Sequence, residues 1–223
     1  MTIHLIRDLE SLHRRLLSMC AKVEEIVNDA VRVYTDQTTT TIDKILLRDH
    51  EIDAIDIYIE EECLKLLALH QPVATDLRRI TTVMRISGEL ERGGDLALNL
   101  TERFTEMKRM PKLVVPGGFG EMVKKAIGML RRSIDSYVNL DPVHARAVCA
   151  DDDLVDDLNR VIIDEVIVQM KKHPETIDAG IHLISASKHI ERVADHASNI
   201  AEEVIYLVEG NIVRHKHHDD HHT

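Results

Sequence analysis

Two stretches of this chain, ERGGDLALNLTE (Glu91 to Glu102) and ERVADHASNIAE (Glu191 to Glu202), carry Glu, Asp, Asn and Glu in the same order, 100 positions apart. The steps between them are four, four and three residues, the spacing that returns to one face of an α-helix. Each ladder has an apolar stripe roughly opposite: Ile86, Leu90, Ala97, Leu100 and Phe104 in the first, Ile190, Val193, Ala197, Ile200 and Val204 in the second. A chain that repeats an amphipathic helix in this way predicts an internal duplication.

The rest of the sequence reads the same way. Apolar residues recur at three and four from Ile3 to about Asp36, and the Thr38–Thr41 cluster breaks the run and caps a second helix. That helix reaches about Leu69 and stops before Pro72, because the residue before proline avoids helical geometry. A third helix spans about Val73 to Met107. Pro111 to Gly120 holds two of the five prolines and three of the nine glycines, and it reads as a linker. A fourth helix runs from about Glu121 to Asn139. Asp141-Pro142 is an N-cap and a first-turn proline for a fifth helix, which ends near Lys172. Pro174 opens a sixth, and Gly210 closes it as a C-cap. The expected fold is all-α: two tandem antiparallel three-helix bundles, six helices in total, packed side by side. The repeats are residues 1–110 and 121–210, joined by the linker 111–120 and followed by a disordered His-rich tail, 211–223.

Composition fits and narrows the field. Hydrophobic residues make up 44% of the chain but aromatics only 3%, which suits aliphatic helix packing better than aromatic-rich sheets. The net charge of −11 excludes nucleic acid as the main partner and favours cations and basic surfaces. Cys20, Cys63 and Cys149 lie far apart with no CxxC spacing, so they read as reduced thiols of a cytoplasmic protein. The first residues form an amphipathic helix rather than a signal peptide, and no apolar run is long enough for direct membrane insertion.

The helix before each ladder carries its own acid pair at i, i+4: Asp49 and Asp53 in the first half, Asp152 and Asp156 in the second. A ladder alone reads as the wet face of an amphipathic helix. Yet like charges at i, i+4 repel by about 0.2–0.5 kcal/mol per pair, and a solvated face mixes signs. If the two helices pack antiparallel, four carboxylates converge, an arrangement that needs a cation. Carboxylate and amide oxygens suit Mg²⁺, Ca²⁺, Mn²⁺ or iron, while one nearby histidine (His196) and no cysteine argue against a dedicated zinc site.

These ladders, with DHEID (Asp49 to Asp53), QPVATDLRRI (Gln71 to Ile80) and IERVADHASNIAEEVIYLVEG (Ile190 to Gly210), resemble the PhoU family of bacterial regulators of phosphate uptake. The resemblance covers residues 3 to about 210. It implies two three-helix repeats, each with an E/D-x-x-x-D motif, and multinuclear metal clusters on the acid surfaces. Carried over by position, the metal-holding residues are Glu91, Asp95, Glu191, Asp195, Asp49, Asp53, Asp152 and Asp156, with Asn99 and Asn199 beside them. Iron is the ion expected, with manganese, magnesium, calcium and zinc as the other candidates. The resemblance also implies a non-enzymatic negative regulator of the phosphate starvation response. Its expected partners are the ATPase subunit of the phosphate ABC transporter, a phosphate-sensing histidine kinase and a second copy of itself. The His-rich tail departs from the family pattern, and the second Gln-Pro segment is eroded to His173-Pro174.

Two other functions stand beside this one. A cytoplasmic metal store or buffer also uses acid ladders and a His tail. A di-iron enzyme needs paired Glu-x-x-His motifs, and only Glu10-x-x-His13 is present. No GxSxG, HExxH or phosphate-binding loop appears. Met84, Met107, Met110, Met122 and Met129 read as packing residues. Arg78, Arg79, Arg85 and Arg92 read as a flank pairing with local acids, with docking of an acidic partner surface as the second reading. Gly93-Gly94, inside a helix, marks either close helix approach or a local weakness.

Overall fold

A computed structural model describes residues 3–34 and 42–213, so the Thr38–Thr41 cap and the His-rich stretch Arg214–Thr223 lie outside the described residues. The first repeat consists of α1 (Ile3–Tyr34), α2 (Ile42–His70) and α3 (Ala74–Met107). The second consists of α4 (Gly117–Asn139), α5 (Pro142–Ala150), α6 (Asp152–Lys172), a 3-10 turn (Pro174–Thr176) and α7 (Ile177–Glu209). No strand occurs among the described residues.

The expected boundaries appear with their expected chemistry. The Asp141 carboxylate accepts hydrogen bonds from Val143 N and His144 N at 2.9 and 3.0 Å, with Pro142 in the first turn. Gly210 ends α7 at φ +78°. Gln71 turns to φ +46° before Pro72 and ends α2. Two details differ from the sequence expectation. The fifth helix is broken at Asp151, where i to i+3 hydrogen bonds (Asp151 N to Val148 O, 3.1 Å; Leu154 N to Asp151 O, 3.2 Å) replace the regular ladder and the Asp151 carboxylate reaches Arg132 on α4. The fourth helix begins at Gly117 despite its glycines, because Pro116 precedes it and Phe119, fully buried in the first turn, fastens it to the core.

The long helices α3 and α7 lie antiparallel along the centre: Arg85 meets Glu203 and Glu89 meets Asn199. Around them, among the described residues, α1 packs against α2, α3 and α4, while α2 touches only α1 and α3, and α6 touches only elements of its own repeat. One hydrophobic core runs through both repeats. Tyr34, Phe104 and Phe119 join them, with centroids 5.0, 5.2 and 6.3 Å apart. Met122 and Met129 are buried, and Met84 and Met107 pack against the core. The three cysteines are free thiols.

The duplication extends to buried polar contacts. Ser87 on α3 donates to Asp56 Oδ1 on α2 at 2.6 Å, beside Met19 Sδ. Ser187 on α7 donates to Asn159 Oδ1 on α6, also at 2.6 Å, beside Met122 Sδ. Gly93 and Gly94 mark close approach. A Cβ on Gly94 would stand 3.2 Å from Asp49 Oδ1 and 3.3 Å from Ile52 Cδ1, so α2 lies tightly against α3 at the level of the acids.

Two stability measurements check this packing. Phe119→Ala is expected to cost about 3–5 kcal/mol in urea unfolding, with one cooperative transition because the core is continuous. Gly94→Val is expected to cost about 1–3 kcal/mol by overpacking, lowering Tm and leaving helical content by circular dichroism unchanged.

Candidate metal centres

In the second repeat Asp152 and Asp156 lie on α6, and Glu191 and Asp195 lie on α7. Asp156, Glu191 and Asp195 each offer a carboxylate oxygen, and the three oxygens lie within 4.8 Å of one another. The charges are held at a cost. Burial, then the charges of Asp195, Asp156 and Asp152, push the Glu191 carboxyl up to about 7. Burial and the neighbouring Asp195 and Asp156 push Asp152 up to about 6. Asp195 and Asp156 are also raised, by burial first.

The first repeat carries the corresponding acids on α2 and α3, close enough to raise one another's carboxyls. Asp49 is 5% exposed, and burial followed by the charges of Asp53 and Asp95 lifts its carboxyl to about 6. Glu91 is raised by burial and by Asp95, Asp56 and Asp53, and Asp95 by burial and Asp53. Asp56 is thus a fifth acid here, standing where the second repeat has Asn159. Asp49 Oδ1 is shielded from solvent without a hydrogen-bond partner among the described residues, while its counterpart Asp152 has the Ser198 hydroxyl beside it.

The predicted acids thus lie on neighbouring helices in each repeat, and in the second repeat three of them, Asp156, Glu191 and Asp195, come within ligand distance of one another, whereas no such group of three forms in the first among the described residues. The two asparagines are engaged through their amide nitrogens: Asn99 Nδ2 donates to Asp95 O at 2.9 Å, and Asn199 Nδ2 to Glu89 Oε2 at 3.0 Å. Glu89 was not visible as a functional residue in the sequence. It accepts from Asn199 and Arg92 and bonds His196 Nδ1 at 2.7 Å, across the central seam. Burial opposes its charge, but the hydrogen bonds from His196 and Asn199 prevail and hold its carboxyl below its usual value. Ser87 and Ser187 were missed as well. Their shared place in the 100-residue repeat was the available signal.

Such a donor set fits a hard cation. It is all oxygen, it contains in Asp49 Oδ1 a buried oxygen without a partner, and its like charges raise one another's pKa values. A carboxyl whose folded pKa is raised supports the fold while protonated and loses that support as pH climbs through the folded value. In metal-stripped protein the neutral pair Asp152→Asn/Glu191→Gln is therefore expected to gain in Tm over the parent as pH rises from 4.5 to about 7. Calorimetry across that window reads the gap, and a constant gap would show that these carboxyls carry no such strain.

Comparison with known proteins agrees with the duplication. The family model described as the PhoU domain matches residues 16–104 and again 119–204. A Burkholderia protein named phosphate-specific transport system accessory protein PhoU homolog is 32% identical, over 93% of this chain and 90% of that protein. An Aquifex aeolicus protein of the same name is 34% identical, over 96% of each. The crystal structure of PhoU from Pseudomonas aeruginosa superposes with a TM-score of 0.86 at 32% identity, covering 92% of this chain and 99% of that one. PhoU from Streptococcus pneumoniae gives 0.84 at 25% identity, covering 94% and 99%. With the fold, the repeat and the matched sequence in agreement, the chain belongs to the PhoU family.

Proposed function

We propose that this protein is a negative regulator of phosphate uptake and of the phosphate starvation response. It acts in the cytoplasm as an adaptor between the phosphate ABC transporter, through its ATPase subunit, and a sensor histidine kinase. Metal ions held in the two acid groups are part of its working form. Support for the transport role comes from relatives named as accessory proteins of phosphate-specific transport systems. No helix of the described residues is long and apolar enough to cross a membrane, which suits a protein that reaches the transporter through its ATPase.

The observation that carries the metal reading is the convergence of Asp156, Glu191 and Asp195 oxygens within 4.8 Å of one another, with the buried, partnerless Asp49 Oδ1 at the corresponding place in the first repeat. Glu91, Asp95, Asp49 and Asp53 would hold ions in the first repeat, and Glu191, Asp195, Asp152 and Asp156 in the second. A bound cation would supply positive charge among the crowded carboxylates of each repeat. The chain's own part is to hold those carboxylates together: α2 against α3, and α6 against α7.

Elemental mass spectrometry on tag-free protein ending at Gly210, beside Glu91→Ala/Asp95→Ala/Glu191→Ala/Asp195→Ala, tests the metal sites. Stoichiometric iron or another oxygen-preferring ion is expected in the first and not in the second. Chelation is expected to lower the Tm of the first alone. No metal in either after reloading would overturn the metal part. Pull-down with the purified ATPase subunit and with the kinase's cytoplasmic portion tests the adaptor part separately.

A further inference from the structure

The two repeats build one contact with different residues. Ser87 donates to Asp56 Oδ1, and Ser187 donates to Asn159 Oδ1, each at 2.6 Å and each beside a methionine sulfur. One oxygen accepts in both cases, so an amide does at this place all that the helix contact needs. A carboxylate adds a second oxygen and a full negative charge. No cationic side chain pairs with Asp56 among the described residues, where its hydrogen-bond partner is Ser87. Its charge instead joins others of its own sign. Glu91 is raised by burial and then by Asp95, Asp56 and Asp53, in that order. Glu191 is raised by burial and then by Asp195, Asp156 and Asp152. A second difference runs the same way. Asp152 has the Ser198 hydroxyl beside it, whereas the first repeat has Leu98 at the place of that serine. Asp49, 5% exposed, accordingly keeps a shielded Oδ1 with no partner among the described residues. The second repeat thus tempers its acids with neutral polar groups, and the first does not.

We infer that Asp56 is a metal ligand of the first repeat with no counterpart in the second, so that the two centres are unlike and the first takes the more highly charged hard cation. The inference rests on the metal reading above and adds a ligand to it. Asp49, Asp53, Asp56, Glu91 and Asp95 give the first centre one carboxylate more than Asp152, Asp156, Glu191 and Asp195 give the second. Coulomb attraction grows with the product of the charges, so the extra carboxylate favours a trivalent ion over a divalent one. An all-oxygen donor set suits such an ion. The buried Asp49 Oδ1 is an acceptor that a cation would satisfy. The first-repeat oxygens are spread wider than the trio of Asp156, Glu191 and Asp195. An ion entering the first centre therefore draws its side chains inward, and the Asp56 oxygen that Ser87 leaves free is available to it.

Two full-length backgrounds isolate the centres: Glu191→Ala/Asp195→Ala leaves the first intact, and Glu91→Ala/Asp95→Ala the second. Equilibrium dialysis against manganese(II) and against iron(III) nitrilotriacetate, read by elemental mass spectrometry, measures each. In the first background Asp56→Asn is expected to weaken iron(III) binding roughly tenfold or more and manganese(II) binding by less. The Tm of the metal-free protein is expected to hold or rise, because asparagine keeps the Ser87 bond as Asn159 keeps that of Ser187. In the second background Asn159→Asp is expected to strengthen iron(III) binding by a similar factor. Asp56→Asn binding both ions as its parent does would overturn the inference and leave the metal centres standing. Equal loss of both ions with a lower metal-free Tm would assign Asp56 to packing alone and overturn it too. No ion bound in either background would remove the metal reading, and this inference with it.

Discussion

The antiparallel seam of α3 against α7 is the contact on which the rest is hung. Its apolar part belongs to the one hydrophobic core that both helices share. Its polar contacts are specific. Arg85 reaches a nearly buried Glu203 at 3.1 Å, and Glu89 is shared by His196, Asn199 and Arg92. Breaking one partner of such a set strands a poorly solvated charge, so the seam tolerates one register and resists slippage. Each repeat supplies one helix to it, and neither repeat can complete its buried surface without the other.

The acid groups lie on the two outer seams, α2 with α3 and α6 with α7. Here the physics runs the other way. At the centre Glu89 and Glu203 each meet an opposite charge; at the outer seams like charges are pressed together and their pKa values climb. Tight packing enforces this. Gly94 lets α2 come close enough to bury Asp49, and the serine contacts to Asp56 and Asn159 pin both outer helices at equivalent heights. The fold thus spends stability at these two places, which is the signature of sites shaped for something other than folding.

Much of this was legible in the sequence because it is local or periodic. Helix periodicity, the Asp141-Pro142 cap, the Gly210 stop and the 100-residue repeat each have a mechanism that acts within a few residues or between copies. The convergence of the acid pairs followed from one assumption, antiparallel packing of neighbouring helices. The break at Asp151 was hidden because no proline or glycine marks a stop there, and only its reach to Arg132 on α4 shows where the helix gives way. The early start of α4 was hidden because glycine is weak evidence against a buried Phe119. Glu89 has its decisive partner, His196, 107 residues away, and no local rule connects them.

The unequal attachment of the helices has a mechanical meaning. Three of the long helices, α1, α3 and α4, together with α7, form a block that crosses from one repeat to the other, while α2 and α6 each lean on their own repeat alone. The block behaves as a chassis, and the two outer helices as side panels held to it partly by apolar contact and partly across a seam of crowded carboxylates. The two outer helices are therefore attached independently of one another, each through its own repeat alone, on a frame that both repeats share.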